Sequence, residues 1–174
     1  VPAYAATMLA NASYEVTWDD GIAEEKNYNQ WLTNLEHTNP DIIMIETKTP
    51  VVKKHWTIIE HIKDILPSSK VVLVGDHVTA LPLESMEKSK SDFILTGGDY
   101  DFLLLNLVDF LAGKVKSLEP GVWYRENGTI KNSGQFKLNH NLDNLPYINR
   151  DLTKWQLYNK RNGIFKVTPG AYTM

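Results

Sequence analysis

The sequence predicts an α/β domain with a parallel sheet and helices on both faces, and three observations carry that reading. Apolar runs alternate with helical patterns through the first two-thirds of the chain. Two of those runs, Asp41 to Glu46 (DIIMIE) and Lys70 to Val74 (KVVLV), are continuously apolar, as strands buried on both faces are. The β-α-β-α order then implies parallel strands joined by right-handed crossovers.

The opening residues, Val1 to Asn11, read as helix, and Tyr14 to Asp19 (YEVTWD), rich in β-branched and aromatic residues, reads as a strand. A helix follows from about Glu24 to His37, because Tyr28, Trp31, Leu32 and Leu35 fall at i, i+3, i+4 and i+7. Pro40 ends it before the strand Asp41 to Glu46. Thr49-Pro50 supplies an N-cap hydroxyl and a first-turn proline for a helix running to Leu66. Strand Lys70 to Val74, a short helix Leu83 to Lys88 and strand Ser91 to Thr96 come next. Gly97-Gly98 leads into an apolar helix, Tyr100 to Leu111, which Gly113 terminates. Beyond Lys114 the pattern changes. Val122 to Arg125 and Thr129 to Lys131 flank Glu126-Asn127-Gly128, a strong hairpin signal. From Gln135 the chain is polar and proline-punctuated, like a linker.

Composition narrows the function classes. The 174 residues are 43% hydrophobic and 22% charged, an ordinary globular balance. With 18 basic against 21 acidic residues, the net charge of -3 supplies no electrostatic reason for a nucleic-acid partner. The absence of cysteine excludes disulfides and thiolate metal sites within this stretch. No apolar run is long enough to span a bilayer and no signal segment opens the chain, so a cytoplasmic location is expected. The chain begins at Val1 already in a helical pattern and breaks off at Met174 without a stop signal, as a piece of a longer protein would.

In open α/β sheets, ligands bind outside the carboxyl ends of the strands. The candidate loops are therefore Glu46 to Thr49, Gly75 to Ala80 and Thr96 to Tyr100. Glycine at two of these strand exits lets backbone approach a ligand. Gly75-Asp76-His77 has two readings: a ligand loop with polar contacts from Asp76 and His77, or a turn that Asp76 caps while His77 is solvated. Gly97-Gly98 is either a backbone ligand or anion site at the start of the Tyr100 helix, or a plain turn. Glu46, Thr47 and Thr49 offer further hydrogen bonds. His37, His55, His61 and His140 show no metal-ligand spacing, and no Walker-type, G-x-G-x-x-G or G-x-S-x-G motif occurs.

Five ordered stretches resemble the cobalamin-binding domain of radical S-adenosylmethionine proteins, a group that includes methyltransferases and the anaerobic magnesium-protoporphyrin monomethyl ester cyclase. They are Ala3 to Val16, Asp41 to Pro50, Lys70 to Pro82, Asp92 to Leu104 and Leu142 to Leu152. The family's Gly-Gly-Pro-His-Ala-Thr-Ala loop matches Val74 to Ala80, with Gly75, His77, Thr79 and Ala80 agreeing, Val74 replacing a glycine and Asp76 replacing the proline. Glu46 stands where a small hydroxyl residue is common. Asp76-His77 lacks the spacing and the following glycine of the cobalt-ligating Asp-x-His-x-x-Gly motif, so no metal ligand is assigned.

The resemblance implies a flavodoxin-like, Rossmann-like fold whose central first strand precedes Val1. It implies that Thr47, Thr49, Gly75, Asp76, His77, Thr79, Thr96, Gly97, Gly98 and Tyr100 line cobalamin, with the Val74 to Ala80 and Thr96-Gly97-Gly98 loops around its nucleotide tail. The expected organisation is a cobalamin-binding domain over 1–114, a hairpin and connecting segment over 115–150, and a linker leading into a radical S-adenosylmethionine barrel over 151–174. The segment ending Val167-Thr168-Pro169-Gly170 resembles the approach to that barrel's three-cysteine motif. The partner is then the catalytic domain of the same longer chain, which adds a 4Fe-4S cluster and S-adenosylmethionine. The longer protein is an enzyme of methyl-transfer or oxidative-cyclisation type; this stretch alone has no catalytic residue. The alternatives are a non-catalytic corrinoid carrier or sensor, and a flavodoxin-like domain binding flavin or phosphate.

Overall fold

A computed structural model describes residues 2–160. Its elements run α1 (Pro2–Asn11), α2 (Tyr28–Thr38), β1 (Ile42–Glu46), α3 (Val52–Ile65), β2 (Lys70–Val74), α4 (Asp76–Ala80), α5 (Pro82–Lys88), β3 (Phe93–Leu95), α6 (Tyr100–Leu111), β4 (Val122–Glu126) and β5 (Thr129–Asn132). Two short 3-10 turns, Leu142–Asn144 and Trp155–Lys160, follow.

The five strands form one sheet in the order β1-β2-β3-β4-β5. β1, β2 and β3 are parallel, with Ile43 opposite Val71 and Leu73 opposite Ile94. The hairpin is not a separate appendage. β4 pairs antiparallel with β3, Leu95 facing Val122, and so extends the same sheet. Its turn has Asn127 at φ 50° and Gly128 at φ 79°, the two positive values a two-residue primed turn requires. Arg125 locks it in place: Nε donates to Ser91 O (3.1 Å), and Nη2 donates to Ser89 O (2.9 Å) and to Met86 O.

Both faces of β2 are buried, as its unbroken apolar run requires. Val72 and Val74 face α1 and α6, packing with Ala5, Leu103, Leu104 and Leu107. Val71 and Leu73 face the other layer, where Ile59, Ile62, Val78 and Met86 from α3, α4 and α5 meet them. The side-chain period of two on the strand thus meets helical stripes on each side.

Four local expectations are corrected. Tyr14 to Asp19 is extended but is not a strand, because no strand among the described residues pairs with it. Its side chains still alternate, with Tyr14, Val16 and Trp18 half-buried and Glu15 and Thr17 exposed. The helix expected from Glu24 starts at Tyr28, where Asn27 and Gln30 form a reciprocal capping box. Thr49 is not a helix cap: α3 begins at Val52 with no side-chain cap, and the Thr49 hydroxyl lies 3.2 Å from His77 Nδ1. Finally, the loop expected over Gly75 to Ala80 holds a helical turn, α4. The readings on Val167 to Gly170 lie outside the described residues.

Candidate functional site

The parallel strands end in three loops, and these enclose an open cavity of about 390 Å³. Its lining is Glu46 from the end of β1, Gly75, Asp76, Thr79 and Ala80 from the β2 exit and α4, and Gly97, Gly98 and Tyr100 from the β3 exit and α6. The carboxyl-end placement follows from the parallel order of β1 to β3, which brings all three exits to one edge.

Each glycine has a distinct reason to be there. Gly75 sits at φ 114°, and a Cβ added to it would meet Thr47 O at 2.3 Å, so the two strand exits touch through backbone. Gly97 sits at φ 94°, and its missing side chain is replaced by the Phe136 ring, which a Cβ would strike at 2.4 Å. Gly98 differs from both: a Cβ there would meet nothing within 4 Å. Only Gly98, of these three, has open space where a side chain would stand.

The polar groups are ordered. Thr79 Oγ1 accepts from Gly97 N–H at 3.0 Å and ties the two loops together. Tyr100 is buried, and its hydroxyl lies 3.4 Å from Glu46 Oε1. Burial pushes the Tyr100 phenol well above its ordinary value, and the negative charges of Glu46, Asp101 and Asp76 add to the shift. The shift favours the neutral, hydrogen-bond-donating phenol. Burial likewise raises the carboxyl of Asp101 in the first turn of α6.

Six of the ten residues expected at the site line this cavity: Gly75, Asp76, Thr79, Gly97, Gly98 and Tyr100. The other four point elsewhere. Thr47 is buried, its N–H donates to Val74 O, and its hydroxyl has no partner. Thr96 is buried and its hydroxyl donates to Gly121 O at 2.8 Å. Thr49 meets His77. His77 is turned into the layer between α3 and α5, edge-on to Trp56. Its Nε2 lies 3.3 Å from Glu84 Oε2 without hydrogen-bond alignment. Glu46 joins the lining. The signal for it was a charge closing an apolar strand at its carboxyl end.

A strap packs against the β3–α6 loop. His140 Nε2 lies 2.8 Å from Glu119 Oε2 and Nδ1 lies 3.3 Å from Asp99 Oδ2. The imidazole stacks on Phe102 at 4.4 Å between centroids. These contacts hold the connecting segment against the β3–α6 loop, with Phe136 seated on Gly97. No group of three or more histidine, aspartate or glutamate residues arranged to hold a metal occurs among the described residues. Nor is any helix among them long and apolar enough to cross a membrane.

Fold and cavity together define a Rossmann-like α/β domain with an open shelf at the carboxyl ends of its parallel strands. Two kinds of relative share features with it. The chain is 29% identical over 164 residues to an uncharacterized methyltransferase of Pyrococcus horikoshii, covering 93% of this chain and 35% of that protein. It therefore spans about a third of that relative's length. In structure it is similar to the radical S-adenosylmethionine methyltransferase TsrM from Kitasatospora setae, solved with cobalamin and a 4Fe-4S cluster bound. The TM-score is 0.65 at 16% identity, covering 83% of this chain and 27% of that one. A second TsrM structure, with tryptophan substrate and a SAM analogue, gives 0.61 at 17% identity over 76% of this chain and 26% of that one. At such identities the likeness establishes the shared fold. No protein-family model matches the chain.

Proposed function

We propose that this chain is the cobalamin-holding α/β portion of a radical S-adenosylmethionine enzyme of the methyl-transferring type. One observation carries the reading: the fold is shared over 83% of the chain with a methyltransferase that binds cobalamin. The curated methyltransferase relative supports the reaction class. The cluster, S-adenosylmethionine and the catalytic domain belong, on this reading, to the rest of a longer chain.

The residues present fit part of such a ligand. Gly98 leaves a side-chain-free face, Tyr100 offers a hydroxyl donor, and Glu46 and Asp76 offer acceptors. The cofactor, when bound, supplies the methyl-carrying chemistry. This chain's role would be to bind and orient it: Glu46, Asp76, Gly98 and Tyr100 would hold the group, and the Thr79–Gly97 bond fixes the spacing of the two loops. His77 is not a lower ligand on this reading, since its ring faces Thr49 and Trp56 away from the cavity.

The test is reconstitution with hydroxocobalamin, and in parallel with flavin mononucleotide, followed by desalting. A corrin spectrum that survives desalting, with flavin washed away, is the expected result. Retained flavin and lost corrin would replace this reading with a flavodoxin-like one.

A further inference from the structure

The strap carries a charge arrangement that lies outside the cavity lining. His140 stands between two carboxylates from different parts of the chain. Its Nδ1 lies 3.3 Å from Asp99 Oδ2 in the β3–α6 loop, and its Nε2 lies 2.8 Å from Glu119 Oε2 in the segment before β4. From α6 the ring meets Phe102, stacked on it. The nearby carboxylate of α6, Asp101, accepts from Phe102 N–H instead. Lys137, on the strap itself, is exposed. Among the described residues, the ion-pair partners of His140 are Asp99 and Glu119.

A neutral imidazole has one N–H and one lone pair. With a carboxylate on each nitrogen, one contact of the neutral ring sets a lone pair against an anion. The imidazolium donates from both nitrogens and satisfies the two together. Water repairs the Asp99 side least well, because that side chain is 9% exposed, against 40% for Glu119. The strap's other anchor is Phe136, whose side chain fills the space beside Gly97 and Gly121. Lys137, Leu138 and Asn139, between the two anchors, are exposed.

We propose that His140 is a proton-operated latch. As the imidazolium it clamps the strap to Asp99 and Glu119; on giving its second proton to water it releases the strap, and Phe136 with it, from Gly97 in the cavity wall. The clamped state holds one proton more than the released one. Closure is therefore favoured at lower pH and lost as the pH rises through the titration of His140. The latch acts on the strap whichever ligand the cavity takes, so it stands or falls apart from the corrinoid reading.

The Lys137–Leu138 bond is a trypsin site between the two anchors. Cleavage needs that segment freed to enter the protease cleft, so nicking there tracks the open population. Rates are measured by mass spectrometry across the pH range over which the His140 ring resonance itself titrates. Each is divided by the rate for a free peptide of residues 134–141 at the same pH. Wild-type nicking should rise about fivefold to twentyfold from the protonated to the neutral end, the scale of one partly exposed charge-assisted contact. His140→Gln should be nicked at the high rate throughout. Asp99→Asn should stay protected at both ends, because its amide N–H donates to the lone pair of the neutral Nδ1 while Nε2–H stays on Glu119. The Asp99 side chain makes no capping bond to α6, so this change leaves the helix start intact. Equal wild-type rates at both ends would overturn the latch. So would a pH dependence that survives in His140→Gln, or an Asp99→Asn protein that keeps the wild-type profile.

Discussion

The two glycine loops at the carboxyl edge of the sheet resemble each other in sequence and differ in what holds them. Gly75 is locked by backbone: its free side abuts the Thr47 carbonyl oxygen, and neither strand exit can move without breaking Thr47 N–H···O Val74 (2.8 Å). Gly97 is held by a side chain: the Phe136 ring fills the space, carried on a segment pinned by His140. The first loop is part of the core and the second is part of a clasp. Glycine at a strand exit therefore reports close approach without saying whether the neighbour is a ligand, a backbone or a ring.

This difference predicts unequal costs. Gly75→Ala combines a left-handed backbone with a 2.3 Å approach to a carbonyl oxygen that cannot rotate away. Strain and forced displacement should together destabilise the protein by about 3 kcal/mol or more. At roughly 2–4 °C per kcal/mol for a chain of this size, the melting temperature should fall by about 6–12 °C. A loss below about 1 kcal/mol in denaturant unfolding would mean that the β1 and β2 exits are as yielding as the other loop.

Gly97→Ala should cost less, about 1–2 kcal/mol, because the obstructing group is a ring on a connecting segment rather than a strand. The sharper measurement is a double-mutant cycle with Phe136→Ala. Removing the ring relieves the clash but leaves the φ of 94°, so the double variant should lose about 1 kcal/mol less than the sum of the singles. Strict additivity would show that Phe136 does not rest on Gly97, and the distinction between core and clasp would disappear.

Much of the frame was legible in the residues. Lys70–Val74 and Tyr100–Leu111 have the bounds their apolar patterns predict, and Asn127-Gly128 marks its turn. These signals are local, because period, cap and turn chemistry are written within a few residues. Partners are not. Tyr14–Asp19 has the composition of a strand, but a strand exists only with a ladder neighbour, and none is among the described residues. Thr49 has the chemistry of a cap and instead meets His77, 28 residues away. The site was partly readable for the same reason. The loops follow from strand order, whereas the inward turn of His77 is set by Trp56 and Thr49, and the meaning of Gly97 by Phe136.

The smallest expected effect on stability falls at Gly98, and it is the most informative about function. Its backbone is outside the left-handed region and an added Cβ meets nothing, so Gly98→Ala should change stability by no more than about 0.5 kcal/mol. Gly98 is one of the residues that line the cavity. If the shelf carries a closely packed corrin, dicyanocobinamide should bind Gly98→Ala about fivefold to tenfold more weakly at unchanged melting temperature, because overpacking at a contact costs about 1 kcal/mol or more. Gly75 and Gly97 cannot give this separation, since their substitution disturbs the fold and the site together. Unchanged corrinoid affinity in Gly98→Ala would place the ligand away from the β3–α6 loop. The open glycine would then be a turn residue like any other, and the difference between the two loops would be one of packing alone.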